Sequence, residues 1–127
     1  MNFLNAVKSY FVRWNDFKTR SSRSEYWWAT LFSVLGSLAL ELLNVAIASN
    51  PPALILTISI LVLIFLIFMM IASLALAVRR LHDLDKSGWW YLLVFTIIGI
   101  IPLTIWFCSK GTEGENRFGE NPLSKNF

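Results

Sequence analysis

Charge is missing from most of this chain. Of its nineteen Asp, Glu, Lys and Arg residues, seven lie in residues 1–25, five in 79–88 and six in 110–127, and Glu41 stands alone in the remaining 74. Only 15% of residues are charged and 56% are apolar, against about a quarter charged in an ordinary soluble domain. A soluble core cannot hide long uncharged runs in 127 residues. An ordinary globular enzyme, a disordered chain and a disulfide scaffold are excluded, and a small polytopic membrane protein is left.

Three runs qualify as spans. A helix rises about 1.5 Å per residue, so a hydrocarbon core of about 30 Å needs about 20 apolar residues. Residues 26–48 are interrupted only by Glu41 and Asn44, and residues 53–78 and 89–108 carry no charge. Lipid admits helices or closed barrels, and no strand-like alternation is present. The turn Ser49-Asn50-Pro51-Pro52 and a polar link over residues 79–88 join the runs. Ala46-Ile47-Ala48 resembles a signal-cleavage site, but the run before it is too long and carries a charge, so it reads as an uncleaved first helix.

Ahead of these, Phe3, Leu4, Val7, Tyr10, Phe11, Trp14 and Phe17 recur at three- and four-residue spacing, with Lys8 and Arg13 among the polar residues between them. This is the pattern of an amphipathic helix lying in the interface, against lipid or against the protein's own helices. The expected fold is therefore an all-α polytopic membrane protein forming one domain over residues 1–127. It has an interfacial helix over 1–20, transmembrane helices over 26–48, 53–78 and 89–108, and a polar tail over 109–127.

Lys and Arg accumulate in cytoplasmic segments. Lys8, Arg13, Lys18, Arg20 and Arg23 precede the first span, its following loop has none, and Arg79, Arg80 and Lys86 follow the second. The N-terminus is expected in the cytoplasm. Three crossings put the tail outside, where Lys110, Arg117 and Lys125 fit poorly. Gly99 and Pro102 could break the third run, and a re-entrant segment there would return the tail to the cytoplasm. Trp27, Trp28, Trp89 and Trp90 mark cytoplasmic borders, and Trp106 the far end of the third run.

Three motifs, in order, are similar to those of one family. Phe17-Lys18-Thr19-Arg20-Ser21-Ser22-Arg23-Ser24-Glu25-Tyr26-Trp27-Trp28 resembles its F-x-G-R-x-S-R-x-E-Y-W opening. Arg79-Arg80-Leu81-His82-Asp83-Leu84-Asp85-Lys86-Ser87-Gly88-Trp89-Trp90 resembles its R-R-L-H-D-x-x-K-S-G-W-W middle. Gly111-Thr112-Glu113-Gly114-Glu115-Asn116-Arg117-Phe118-Gly119-Glu120-Asn121-Pro122 resembles its G-T-x-G-x-N-R-F-G-x-D/N-P tail. The family is the bacterial inner-membrane domain-of-unknown-function family numbered 805, which includes the YhaH-like proteins. Thr19 and Asp85 stand where glycine is usual, both at turns. The resemblance implies a small helical protein of the bacterial inner membrane and carries no established activity.

The candidate polar cluster is Arg20, Arg23, Glu25, Glu41, Arg79, Arg80, His82, Asp83, Lys86, Asn116 and Arg117. Ser22-Arg23-Ser24-Glu25 fits a capping box opening the first span. Glu41 is the one charge inside a span, on a face with Ala29, Ser33 and Ser37. A proton or cation relay or an oligomer contact competes there with a carboxylate near the outer interface. His82, Asp83 and Asp85 suggest a facial metal site, but the chain has one His, and a charge-paired polar loop with Arg79, Arg80 and Lys86 is the plainer reading. Lys86-Ser87-Gly88 lacks the glycine-rich loop of a phosphate-binding site, and Ser87 reads as a helix cap. Arg117 is free to clamp a phosphate or to pair with Glu113, Glu115 or Glu25. Cys108 is a lone residue read as a buried thiol. No catalytic, cofactor or metal residue is assigned.

The expected role is structural or interaction-based in the bacterial envelope. Its partners are membrane lipids, anionic headgroups among them, a second copy of the chain or other membrane proteins. Nucleic acid is excluded because the basic residues hug membrane borders. The alternatives are a small oligomeric transporter or channel using Glu41, and a lipid-headgroup enzyme using His82, Asp83 and Arg117.

Overall fold

The computed structural model describes residues 1–124, so Lys125 lies outside the described residues. They form four α-helices and two 3-10 segments, with one isolated backbone bridge between Asn116 and Gly119 and no strand among them. The helices are α1 (Phe3–Val12), α2 (Arg23–Ala46), α3 (Pro52–Asp83) and α4 (Ile100–Cys108).

Helices α2 and α3 are long and apolar enough to cross a membrane. With 24 and 32 residues they measure about 36 and 48 Å, so α3 outreaches a hydrocarbon core of about 30 Å. It begins on Pro52, where the missing N–H is no loss, and runs five residues past the expected 53–78 because Arg79–Asp83 find partners inside the protein. Helix α2 starts three residues before the expected 26–48, where the Ser22 hydroxyl caps it by accepting from Glu25 N at 3.3 Å. The capping box is only half made, since the Glu25 side chain turns to other partners.

The expected helix over 89–108 is broken in two. A 3-10 segment (Gly88–Phe95), with Ser87 Oγ accepting from Trp89 N, ends at an extended Thr96. Thr96 Oγ1 donates to Leu93 O at 2.9 Å and accepts from Gly99 N at 2.9 Å, closing a tight turn. A Cβ at Gly99 would collide with that hydroxyl and with Leu93 O, so the turn needs glycine. Helix α4 follows with nine residues, about 14 Å, less than half a bilayer core. Pro102 sits in its first turn, where no donor is required. The chain then comes back to the end it left, because Arg80 of α3 donates to Phe107 O and Ser109 O. Trp106 accordingly meets Trp90 edge-on at 5.7 Å and is not at the far end. Cys108 is exposed, contrary to the buried thiol expected.

Helix α1 covers only part of the expected 1–20, and residues 13–20 turn back on themselves. It packs on α2 and α3. Tyr10 OH donates to Met69 O at 2.7 Å, with Ser73 Oγ at 2.8 Å, and Phe11 stacks on Phe68 at 5.9 Å. Lys8 faces outward as an interfacial helix requires, whereas Arg13 turns inward. Two buried apolar clusters hold the parts together. Tyr10, Ala29, Ala72 and Leu76 join α1, α2 and α3, and Ala77, Leu81, Leu103 and Phe107 join α3 and α4. All buried residues of α3 lie at or after Val62, and those of α2 are Glu25 and Ala29.

Candidate functional site

The last turns of α3 present five consecutive residues, Arg79 to Asp83, around the whole helix. Residues three apart share a face, yet the contacts cross: Arg79 meets the opening segment, Arg80 and Asp83 meet both that segment and the tail, and His82 lies between Thr19 and Phe118. A charged side chain removed from water requires a partner, and each of these finds one on a distant segment.

Asp83 is the centre. Oδ1 accepts from Arg20 Nε at 3.0 Å and pairs with Arg20 Nη2 at 2.9 Å, and Oδ2 pairs with Arg80 Nη1. The Arg20 fork continues past it into the tail. Nη1 donates to Gly114 O at 2.8 Å and Gly119 O at 3.1 Å, and Nη2 donates to Thr112 O at 2.7 Å. Thr112 N returns a bond to Asp83 O at 2.7 Å. A planar fork with five donors suits this set of acceptors, and a lysine would not. Gly111 lies so close that any Cβ would enter the Asp83 carboxylate. Arg20, one of the basic residues that precede the first span, is therefore buried, at 3% exposure.

Glu25 is the second anion. Oε1 accepts from Ser9 Oγ at 2.7 Å and Arg13 Nη1 at 3.2 Å, and lies 3.6 Å from Arg79 Nη2. Arg79 donates from Nε to Ser21 Oγ at 2.9 Å and from Nη1 to Arg13 O at 2.6 Å and Asp16 O at 3.1 Å. Its Nη2 is the one buried side-chain polar atom without a hydrogen-bond partner among the described residues. Burial alone would raise the Asp16 carboxyl. Hydrogen bonds from Thr19 Oγ1 and from the Lys18 and Thr19 N–H groups, with Arg13 beside it, hold it well below the usual carboxylate range instead.

His82 Nδ1 lies 3.0 Å from Thr19 O, which makes that nitrogen the protonated one, and the ring stacks on Phe118 at 3.8 Å. Asn116 Nδ2 donates to His82 O at 2.9 Å. Arg117 pairs with Asp85 at 3.2 Å and donates to its carbonyl at 2.9 Å, so none of Glu113, Glu115 and Glu25 is its partner. Asp85 itself has φ 57, a left-handed conformation that explains why glycine would suit this position. Lys86 Nζ sits 4.5 Å over the Trp106 ring.

The structure thus brings together Arg20, Glu25, Arg79, Arg80, His82, Asp83, Asn116 and Arg117, with Arg23 and Lys86 at the rim. Glu41 stands apart, about 24 Å up α2 from Glu25. It is exposed beside a groove lined by Ser33, Ser37, Met69, Met70 and Ser73. Ser9, Arg13 and Ser21 join this cluster beyond the residues the sequence suggests, and the one trace of it is Ser9, a polar residue beside the apolar stripe of α1. His82 and Asp83 line separate cavities. His82 faces an apolar one of about 440 Å³ with Phe17, Leu74 and Trp89. Asp83 faces one of about 230 Å³ with Ser22, Arg23, Lys110 and Asn121. Among the described residues, no three His, Cys, Asp or Glu side chains gather to hold a metal.

The family described as "Protein of unknown function (DUF805)" matches residues 14–120, which take in the first two motifs whole and the third up to Glu120. The chain belongs to that family. Among its relatives, "Inner membrane protein YhaI" of Escherichia coli (strain K12) is 35% identical over 121 residues, covering 94% of this chain and 93% of the relative. "Inner membrane protein YhaH" of the same strain is 34% identical over 121 residues, covering 94% of each. No solved structure matches. With two helices suited to crossing a bilayer, this DUF805 member is an integral inner-membrane protein of all-α architecture.

Proposed function

We propose that the chain crosses the inner membrane twice, by α2 and α3, with both its N-terminus and its tail in the cytoplasm, and that its role is structural and lipid-contacting. The observation that carries this reading is the joining of all three motifs through Arg20, Asp83 and the tail carbonyls at one end of the bundle. That end carries Lys18, Arg23, Lys86, Lys110 and Arg117, while the α2–α3 turn at the other end carries no Lys or Arg, as cytoplasmic and outer ends should differ.

Most of the buried charges are committed to one another, which favours a structural cap over a reactive centre. Cations left at its rim include Arg23, with a single 3.3 Å bond to Cys108 O, and Lys110, in an exposed pair with Glu113. Both line the 230 Å³ cavity with Ser22 and Asn121, at the level where headgroup phosphates lie. Exposed ion pairs contribute little, so Lys110 is readily recruited to a lipid phosphate.

The test is tryptophan quenching of the full chain in vesicles containing brominated phosphatidylglycerol or brominated phosphatidylcholine. The expected result is stronger quenching by the anionic lipid and loss of that preference in an Arg23→Gln, Lys110→Gln variant. Equal quenching by both lipids in the unaltered chain overturns the reading. A second reading, an oligomeric conduit, is favoured by the Glu41 carboxylate opening onto the serine-lined groove. It requires Glu41→Gln to abolish proton or cation flux in proteoliposomes, and unchanged flux would sink it.

A further inference from the structure

We infer that the protein is a leaflet-asymmetric wedge that favours membrane curved so that its arginine-capped face is convex. This rests on the two-crossing reading above.

The asymmetry follows from where burial lies along α2 and α3. Below the cap, Tyr10 of α1 is fastened to Met69 O and Ser73, six to ten residues from Arg79, or about 9–15 Å along α3. One leaflet's hydrocarbon is about 15 Å deep, so α1 lies within the cap-side leaflet. Helix α4 and its 3-10 partner occupy the same depth. They descend about 14 Å to a tip where Phe95, Ile97 and Ile98 are 83, 90 and 82% exposed, an apolar end suited only to acyl chains. In the opposite half, Leu42, Val45, Leu54, Leu56 and Leu61 are all exposed, and α2 and α3 have only each other.

A helix with side chains is about 10–12 Å across, or about 80–110 Å² in section. The far leaflet therefore holds about 200 Å² of protein. The cap-side leaflet holds those two helices, the two arms of the re-entrant hairpin, and α1 lying across them with a footprint of about 150 Å². The protein's area is more than doubled on one side. Bending that spreads the cap-side headgroups makes room for the extra area, and bending the other way squeezes it. The partner is thus a lipid surface of one sign of curvature.

The experiment uses the full chain with Ser124→Cys and Cys108→Ser in giant vesicles from which narrow tubes are drawn. A membrane-impermeant dye labels the cap-out molecules. In a second preparation the outer thiols are blocked and a permeant dye labels the cap-in molecules. Cap-out protein is expected to be enriched in the tube relative to the flat membrane, increasingly as the tube narrows, and cap-in protein to be depleted. Equal partition of the two populations overturns the wedge. Asn5→Cys, labelled in the same vesicles, checks the underlying topology. In a chain carrying both Asn5→Cys and Ser124→Cys, each molecule reached by the impermeant dye should take two labels; one label per molecule puts the two ends on opposite faces, and the two-crossing reading fails and the wedge with it. An Ile97→Lys, Ile98→Lys variant, whose charges draw the tip toward the headgroups, is expected to shrink the difference between orientations, and an unchanged difference removes the hairpin from the cause.

Discussion

Replacing Arg20 by methionine removes the guanidinium that makes the most bonds between the tail and the helices. Arg20 Nε and Nη2 hold Asp83 Oδ1 at 3.0 and 2.9 Å, and the remaining donors hold Thr112 O, Gly114 O and Gly119 O. Methionine fills much of the volume but leaves Asp83 with Arg80 alone. Removing one partner of a buried pair costs about 3–5 kcal/mol. The three carbonyls lie on a segment that can swing into water, so the loss appears as tail release. At 1.36 kcal/mol per tenfold, the release equilibrium shifts by roughly 150- to 5000-fold. Hydrogen exchange over residues 109–124 reads it directly, because the Thr112 amide is held on Asp83 O at 2.7 Å. Its exchange should accelerate by up to that factor while the amides of α2 and α3 keep their rates. Arg20→Lys should fall between, since one ammonium reaches Asp83 or the tail and not both. Thr112 exchange unchanged in Arg20→Met would refute the reasoning.

Gly99→Ala should open the Thr96–Gly99 turn, because a Cβ there meets Thr96 Oγ1 and the Leu93 carbonyl, and such overpacking costs about 1–3 kcal/mol; thermal stability in detergent checks it, and a melting temperature equal to the parent's would contradict the turn. At Asp85, with φ 57, glycine should be the more stable replacement and alanine the less, by about 1 kcal/mol, since both lose the Arg117 pair and only alanine meets strain; paired melting curves decide, and alanine matching glycine counts against the left-handed backbone. The Asp16 carboxyl is depressed in the fold relative to its ordinary 3.8, so its contribution is complete above about pH 5 and is lost as pH falls below 3.8 toward the folded value. The Lys18 and Thr19 amide resonances should titrate with a midpoint below 3.8, and a midpoint at or above it would exclude the hydrogen-bonded carboxylate.

What was legible in the sequence followed from one-dimensional rules. The spans of α2 and α3 and the motif-bearing ends follow from hydropathy and charge placement, and the seam of α1 from its apolar period. The third run was not legible by counting, because twenty uncharged residues suit one helix or a hairpin equally. Gly99 and Pro102 mark where the run can break, but the turn itself depends on the Thr96 hydroxyl, whose hydrogen bond closes back on Leu93. The tail's return had a trace in its unexplained Lys110 and Arg117. The cluster was legible as a set of residues but not as pairs. Hydropathy treats Arg20, Arg79 and Arg80 as surface charges, and burial becomes tolerable only once Asp83, Glu25 and the tail carbonyls are in place. Nothing local to Arg20 names partners so far along the chain.

That distance has a consequence for synthesis. Arg20 precedes Asp83 by 63 residues and Gly119 by 99, so neither has emerged from the ribosome to meet it when α2 first reaches the bilayer. During that interval the guanidinium is bare and hydrated, a charge that resists being carried across the membrane. Only when the last segment leaves the ribosome can it be withdrawn from water. With the arginine cap on the cytoplasmic side, as proposed, the same group would serve first as a topogenic signal on a growing chain and afterwards as a fastener in the finished one.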